Sequence, residues 1–166
     1  MNKILYSPWR LKYILMQKKA EKCIFCLKPA KNNDIKHLIL YRSKHSFVIM
    51  NLYPYNNGHL MIVPKKHVAL LDELTEEEYI DLFLTLKLSN KIMNKVYNPE
   101  GINIGLNLGK AAGAGIDEHL HIHIVPRWQG DVNFMTTIGE TRVIPESFET
   151  AYKKLKKQFE YEKEKK

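Results

Sequence analysis

Apolar and polar positions alternate most strictly between residues 119 and 125, which read His-Leu-His-Ile-His-Ile-Val. A period of two is the signature of a half-buried strand. It puts His119, His121 and His123 on one face and Leu120, Ile122 and Ile124 on the other, in a core. Same-face Cα atoms then lie roughly 6.5–7 Å apart, close enough for three imidazoles to share one substrate or a metal. Apolar runs at 38–42 and 46–51 predict two further strands split by Ser43-Lys44-His45, and His59 to Val63 another, closed by Pro64. The stretch from Tyr53 to Gly58 carries turn chemistry, with Pro54 and then Asn57-Gly58.

Helical spacing takes over after Thr75. Thr75-Glu76-Glu77-Glu78 reads as a capping box, with Thr75 as N-cap and Glu78 at the third helical position. The helix should run to about Tyr97, burying Tyr79, Leu82, Phe83, Leu86, Met93 and Val96 as a stripe, and Asn98-Pro99-Glu100-Gly101 should end it. Residues 102–107 predict a strand, and 109–115 a loop with three glycines. A last amphipathic helix is expected over 146–161, with Phe148, Tyr152, Leu155 and Phe159 on one side. Most strand-to-strand links are too short for parallel crossovers. The prediction is an α+β domain: an antiparallel sheet with one long central helix and a C-terminal helix. There is no internal repeat and no Ser/Gly linker, so one domain covers 1–166, with 1–20 as an N-terminal extension that docks through residues such as Trp9, and 162–166 as a basic tail.

Composition narrows the function classes. A hydrophobic fraction of 45% supports a packed core. No apolar run is long enough to span a bilayer, and the N-terminus lacks an apolar stretch followed by a small-residue cleavage site, so a cytoplasmic protein without a membrane partner is expected. The net charge is +8, but residues 153–166 hold seven Lys against three Glu. That clustering reads as a solvated helix face and end rather than a nucleic-acid surface, while still steering nucleotides towards the protein. The two cysteines, Cys23 and Cys26, point to a metal or redox pair rather than a structural disulfide. A thioredoxin-type site would need a strand before the pair and a helix after it; Pro29 follows closely, and no βαβ pattern surrounds it.

Three histidines in register are costly to bury for packing alone. Two chemistries remain open from these residues: a three-histidine metal cage, or a histidine nucleophile with histidine helpers. The glycine loop is not a triphosphatase phosphate loop, because Gly109-Lys110 is followed by Ala111 and Gly105 is one residue too close. Such a loop feeding a histidine strand can still offer backbone N–H groups to an anion.

Gly58-His59, Pro64-Lys65-Lys66-His67, Asn107 before the glycine loop, and the run from His119 through Pro126-Arg127 together resemble the histidine triad (HIT) superfamily, over roughly residues 20–135. The start, SPWRLKYI, and the segment GAGIDEHLHIHIVPRWQGDVNFM resemble the bacterial branch related to diadenosine tetraphosphate phosphorylases and hydrolases. The resemblance implies the HIT fold, with a sheet continued across a homodimer. It implies attack by His121 on the α-phosphorus of a dinucleoside polyphosphate to form a nucleotidyl-histidine, with His123 and His59 binding the phosphate or leaving oxygen. It assigns Asn51 to the ribose hydroxyls, Asn107 and the backbone of Gly113, Ala114 and Gly115 to the phosphates, and Trp128 to the region of the base. It assigns Cys23, Cys26, His67 and His119 to a structural Zn2+, which takes His119 out of the catalytic set. A nucleoside phosphoramidase using the same His121, and a nucleotide-binding adaptor with incidental activity, are the alternatives. The sequence departs from the family at Gly115-Ile116-Asp117-Glu118, where relatives carry Gln followed by Ser or Thr; Lys110 and Glu118 are the local candidates for that role.

Overall fold

The computed structural model describes residues 23–30, 33–132, 138 and 144–165. The expected arm over 1–20, including Trp9, and the Asn133-Phe134-Met135 segment lie outside them. Five strands form one sheet in the order β1-β2-β3-β5-β4: β1 Ile39–Arg42, β2 Ser46–Met50, β3 Leu60–Pro64, β4 Gly101–Leu106 and β5 Ile122–Arg127. Every neighbouring pair is antiparallel, as the short links from β1 to β2 and from β2 to β3 require for those two. Two short helices, α1 (Ile24–Ala30) and α2 (Asp34–His37), precede the sheet. The long α3 (Glu76–Tyr97) separates β3 from β4, and α4 (Phe148–Glu164) ends the described chain. No helix among the described residues is long and apolar enough to cross a membrane.

Alternation along the central strands divides two cores. Val48, Met50, Leu60, Ile62, Ile122 and Ile124 face α3 and α4, joining Leu82, Ile92, Leu155 and Phe159. Truncating one such fully buried side chain, Leu82 for example, costs about 2–5 kcal/mol. Phe47, Ile49, Met61 and Val63 point the other way, to a smaller cluster completed by Phe25 of α1 and by Ile116. The histidines open on this second face.

Several expectations are corrected. The histidine run is not strand throughout: β5 begins at Ile122, which pairs with Ile62 inside β3 and with Leu106, the last residue of β4. Just before it, the Leu120 N–H donates to the Val68 carbonyl at 2.6 Å, which draws residues 119–121 towards the loop after β3. The alternation of faces survives, because Leu120 is buried with Ile122 and Ile124. In α3 the capping box forms as expected, with Thr75 Oγ1 accepting the Glu78 N–H at 3.3 Å and Glu78 Oε2 accepting the Thr75 N–H at 2.9 Å. The buried stripe differs: it is Leu82, Thr85, Ser89, Ile92 and Met93, while Tyr79 is 43% exposed. The polar members are satisfied locally, Thr85 Oγ1 accepting from Ser46 Oγ at 2.9 Å and Ser89 Oγ donating to the Thr85 carbonyl at 2.8 Å. The helix α4 runs on to Glu164 instead of ending at 161. Its buried Glu162 accepts from Lys91 Nζ at 2.6 Å, so part of the expected tail is packed helix. A helix does follow Cys23, with Pro29 in its last turn.

Candidate active site

His121 is buried, and its Nδ1 lies 2.8 Å from the carbonyl oxygen of His119. A carbonyl only accepts, so Nδ1 carries the proton and Nε2 keeps a bare lone pair. His121 lines a cavity of about 100 Å3 together with His123. The same reasoning fixes the neighbouring rings. The Tyr55 N–H donates to His59 Nδ1 at 3.0 Å, so the His59 proton sits on Nε2. That N–H donates in turn to His123 Nδ1 at 2.9 Å, which leaves the Nε2–H of His123 as a donor. One histidine thus offers an unshared pair to the site and its neighbour offers a proton.

Burial keeps the rings of His121 and His123 neutral. It pushes His121 below the ordinary imidazole range against the raising effect of the His119 carbonyl. It pushes His123 down to about 4, with nearby His121 lowering it further. A neutral imidazole is the nucleophilic form, so the electrostatics favour attack without a separate base.

The wall of this cavity is mostly apolar. Phe25 contacts both His119 and His121, with ring centroids 5.5 and 5.1 Å away. Ile24, Leu52, Met61 and Ile116 add to it, beside Tyr53 and Tyr55. None of these seven was singled out from sequence; the only signal for Ile24 and Phe25 is that they lie between the two cysteines. Of the expected substrate residues, Asn51, Asn107, Gly113 and Gly115 line the cavity. Asn51 Oδ1 accepts the Tyr53 N–H at 2.9 Å, and its Nδ2 lies 3.3 Å from His59 Nδ1. The N–H groups of Gly113 and Ala114 donate within their own turn, to Lys110 and Gly109 carbonyls. Ala114 is not in the lining, and neither is Trp128, whose ring packs edge-on against Tyr97 at 6.3 Å. Lys110 Nζ faces Asp117 at 3.7 Å on the surface.

The loop that carries Tyr55 and His59 is held at two neighbouring residues. Asn56 Nδ2 donates to Asp131 Oδ2 at 2.7 Å and to the Pro126 carbonyl at 3.1 Å. Asn57 Nδ2 donates to Glu146 Oε2 at 3.1 Å, and Tyr97 Oη donates to the same oxygen. Burial would raise the Glu146 carboxyl, but the bonds from Lys154, Asn57 and Tyr97 outweigh it and hold the group below its usual range.

A second cluster lies behind His121. Cys23, Cys26, His67 and His119 present ligand atoms all within 4.8 Å of one another. Cys23 Sγ is 3.3 Å from His119 Nδ1, and Cys26 Sγ is 3.3 Å from His67 Nδ1. Ligand atoms at zinc distances around a tetrahedral centre stand about 3.3–3.8 Å apart, so the set is close to what a metal needs. His119 Nε2–H donates to the Pro64 carbonyl at 2.9 Å, which turns the bare Nδ1 towards the sulfurs. These four residues can hold a metal ion. Because His119 is engaged there, the three triad histidines do not converge on one point, and a three-histidine cage does not form.

Comparison with known proteins places the chain in a family. A diadenosine tetraphosphate (AP-4-A) phosphorylase of Mycobacterium tuberculosis is 39% identical over 149 residues, covering 86% of this chain and 76% of that protein. A bis(5'-adenosyl)-triphosphatase of Dictyostelium discoideum is 34% identical over 93 residues, 56% of this chain and 62% of that one. The crystal structure of a hypothetical histidine triad nucleotide-binding protein from Sulfolobus tokodaii superposes with a TM-score of 0.69 at 28% identity, covering 86% of this chain and 95% of that chain. The HIT domain model matches residues 32–130, and the chain belongs to the HIT domain family.

Proposed function

We propose that this protein transfers a nucleotidyl group from the α-phosphate of a dinucleoside polyphosphate, diadenosine tetraphosphate foremost, through a covalent intermediate on His121. The observation that carries this reading is the fixed tautomer of His121: Nδ1–H is held by the His119 carbonyl at 2.8 Å, which leaves the lone pair on Nε2 of a ring that lines the cavity. In the first step Nε2 forms a bond to the α-phosphorus, and the bond from phosphorus to the bridging oxygen breaks. The positive charge that develops on the ring is stabilised at Nδ1–H by the same carbonyl. The leaving polyphosphate departs with the electron pair, its oxygen accepting a hydrogen bond from His123 Nε2–H. His59 holds His123 in that tautomer. In the second step an acceptor oxygen attacks phosphorus, the phosphorus–nitrogen bond breaks, and His121 recovers its lone pair.

Asn51 would bind the ribose hydroxyls, and Phe25 and Met61 the base, since all three line the cavity. Phosphate is the favoured acceptor, because the mycobacterial relative that covers most of the chain is named a phosphorylase. Cys23, Cys26, His67 and His119 would hold zinc. Four protein ligands make a closed, structural site, one that would fasten α1 to the segment before β5. We also infer a homodimer through β4. Among the described residues this strand is paired on one side only, by β5, and Ile104 on its core face is 48% exposed because α3 packs over β2, β3 and β5 instead.

The test is to incubate the protein with diadenosine tetraphosphate, quench, and weigh it. An adduct heavier by one adenylyl group on His121 is expected, as is loss of turnover to background in His121→Gly. In phosphate buffer the products should be ADP and ATP; AMP and ATP would make water the acceptor. Full turnover by His121→Gly would overturn the reading.

A further inference from the structure

Beyond Tyr55, on the same face of the sheet, lies a second and larger cavity of about 320 Å3. The strand register relates it to the first. Across the β4–β5 ladder Gly105 faces His123, Asn103 faces Val125 and Gly101 faces Arg127. Residues two apart on a strand share a face. A row therefore leads from His121 through His123 to Val125 and Arg127, with Asn103 beside it. Tyr55 lines both cavities, and its ring stands 6.0 Å from that of His123.

In-line displacement expels the leaving group on the side of phosphorus opposite the attacking nitrogen. With Nε2 of His121 attacking, the departing chain passes His123 and runs on along this row. Four residues at about 3.3 Å each give about 13 Å from His123 to Arg127, room for a short polyphosphate and a sugar. We propose that the second cavity binds the nucleoside end of the leaving group. The assignment rests on the substrate class proposed above, and it adds the place where the second half of that substrate sits.

The lining suits a nucleoside better than a phosphate. Arg127 is clamped by Asp131, Nε to Oδ2 at 2.7 Å and Nη2 to Oδ1 at 2.9 Å, so its charge is compensated locally. Its Nη1 donates to Asn103 Oδ1 at 2.7 Å, which turns the Asn103 amide nitrogen outward as a donor. Tyr55, 42% exposed, with Val125 and Val132 supplies apolar surface for a planar base. A cavity of this volume is at the lower end of ordinary small-molecule sites.

The experiment compares two substrates that share the adenylyl group and differ in leaving group: diadenosine tetraphosphate and adenosine 5'-phosphorofluoridate, whose fluoride cannot reach the second cavity. In Asn103→Trp, which fills the space, kcat/KM for the dinucleotide relative to the fluoridate should fall about tenfold, mostly through KM. With turnover of the fluoridate retained, an unaltered ratio overturns the proposal. Should the bulky variant lose both substrates alike, Asn103→Ala decides. It removes the donor without adding volume, and it should lower the same ratio about threefold; no fall overturns the assignment. If the unmodified protein consumes the fluoridate but not the dinucleotide, the substrate class itself is wrong, and this assignment goes with it.

Discussion

Gly58 shows how one residue controls the site. It sits at φ +75°, a conformation that L side chains adopt only under strain, and a Cβ built there would lie 2.7 Å from Cε2 of Tyr97. The next residue is His59, so this turn sets where that imidazole meets His123. Gly58→Ala should destabilise the fold by about 1–3 kcal/mol, read as a lowered thermal midpoint. It should also cut kcat/KM by more than the stability loss explains; wild-type kinetics would show that the turn does not position His59. The Asn57-Gly58 turn was legible because its residue types carry a backbone requirement. The donors and acceptors that pin it were not. Asp131 and Glu146 meet Asn56 and Asn57 from 75 and 89 positions away in the chain, and no local pattern encodes such pairings.

At the scale of elements, patterns held where a single period governs and failed where partners decide. The capping box placed the start of α3 correctly, but the inner face of that helix uses Thr85 and Ser89, which a count of apolar residues passes over. The alternation around His121 assigned faces correctly, whereas the start of β5 falls where β4 ends and where Leu120 turns to bond Val68. Helix α1 was not read from sequence at all, because seven residues carry too little periodicity. The proposed metal site makes it testable. Cys26→Ser should bind less than one zinc per chain by elemental analysis and should unfold several degrees lower, because metal binding to a folded site adds to folding stability. Equal metal content and melting would exclude Cys26 as a ligand. For β4, Ile104→Lys should convert a sedimenting dimer into a monomer by placing a charge in the joint; a monomeric wild-type protein would remove the basis for that joint.

For the whole molecule, buried neutral histidines tie stability to pH. His123 titrates near 4 in the folded protein, against 6.5 for an unhindered imidazole. Between these values the unfolded chain binds a proton that the folded chain does not. Stability from this group is therefore full above pH 6.5 and declines as pH falls towards 4. Denaturant midpoints should drop across that window in the wild type, and less steeply in His123→Asn. The acid limb of kcat/KM should also lie below pH 6.5, since burial lowers His121 in the same direction. A limb centred at or above 6.5 would mean that these rings are hydrated in solution.

Cys23 to Cys26 spans four residues that face two ways: the outer pair towards His67 and His119, the inner pair, Ile24 and Phe25, towards the cavity beside His121. On a helix each added residue rotates the downstream side chains by about 100°. Lengthening this stretch by one would swing either a thiol or an aromatic wall away from its target, so this span should tolerate neither insertion nor deletion.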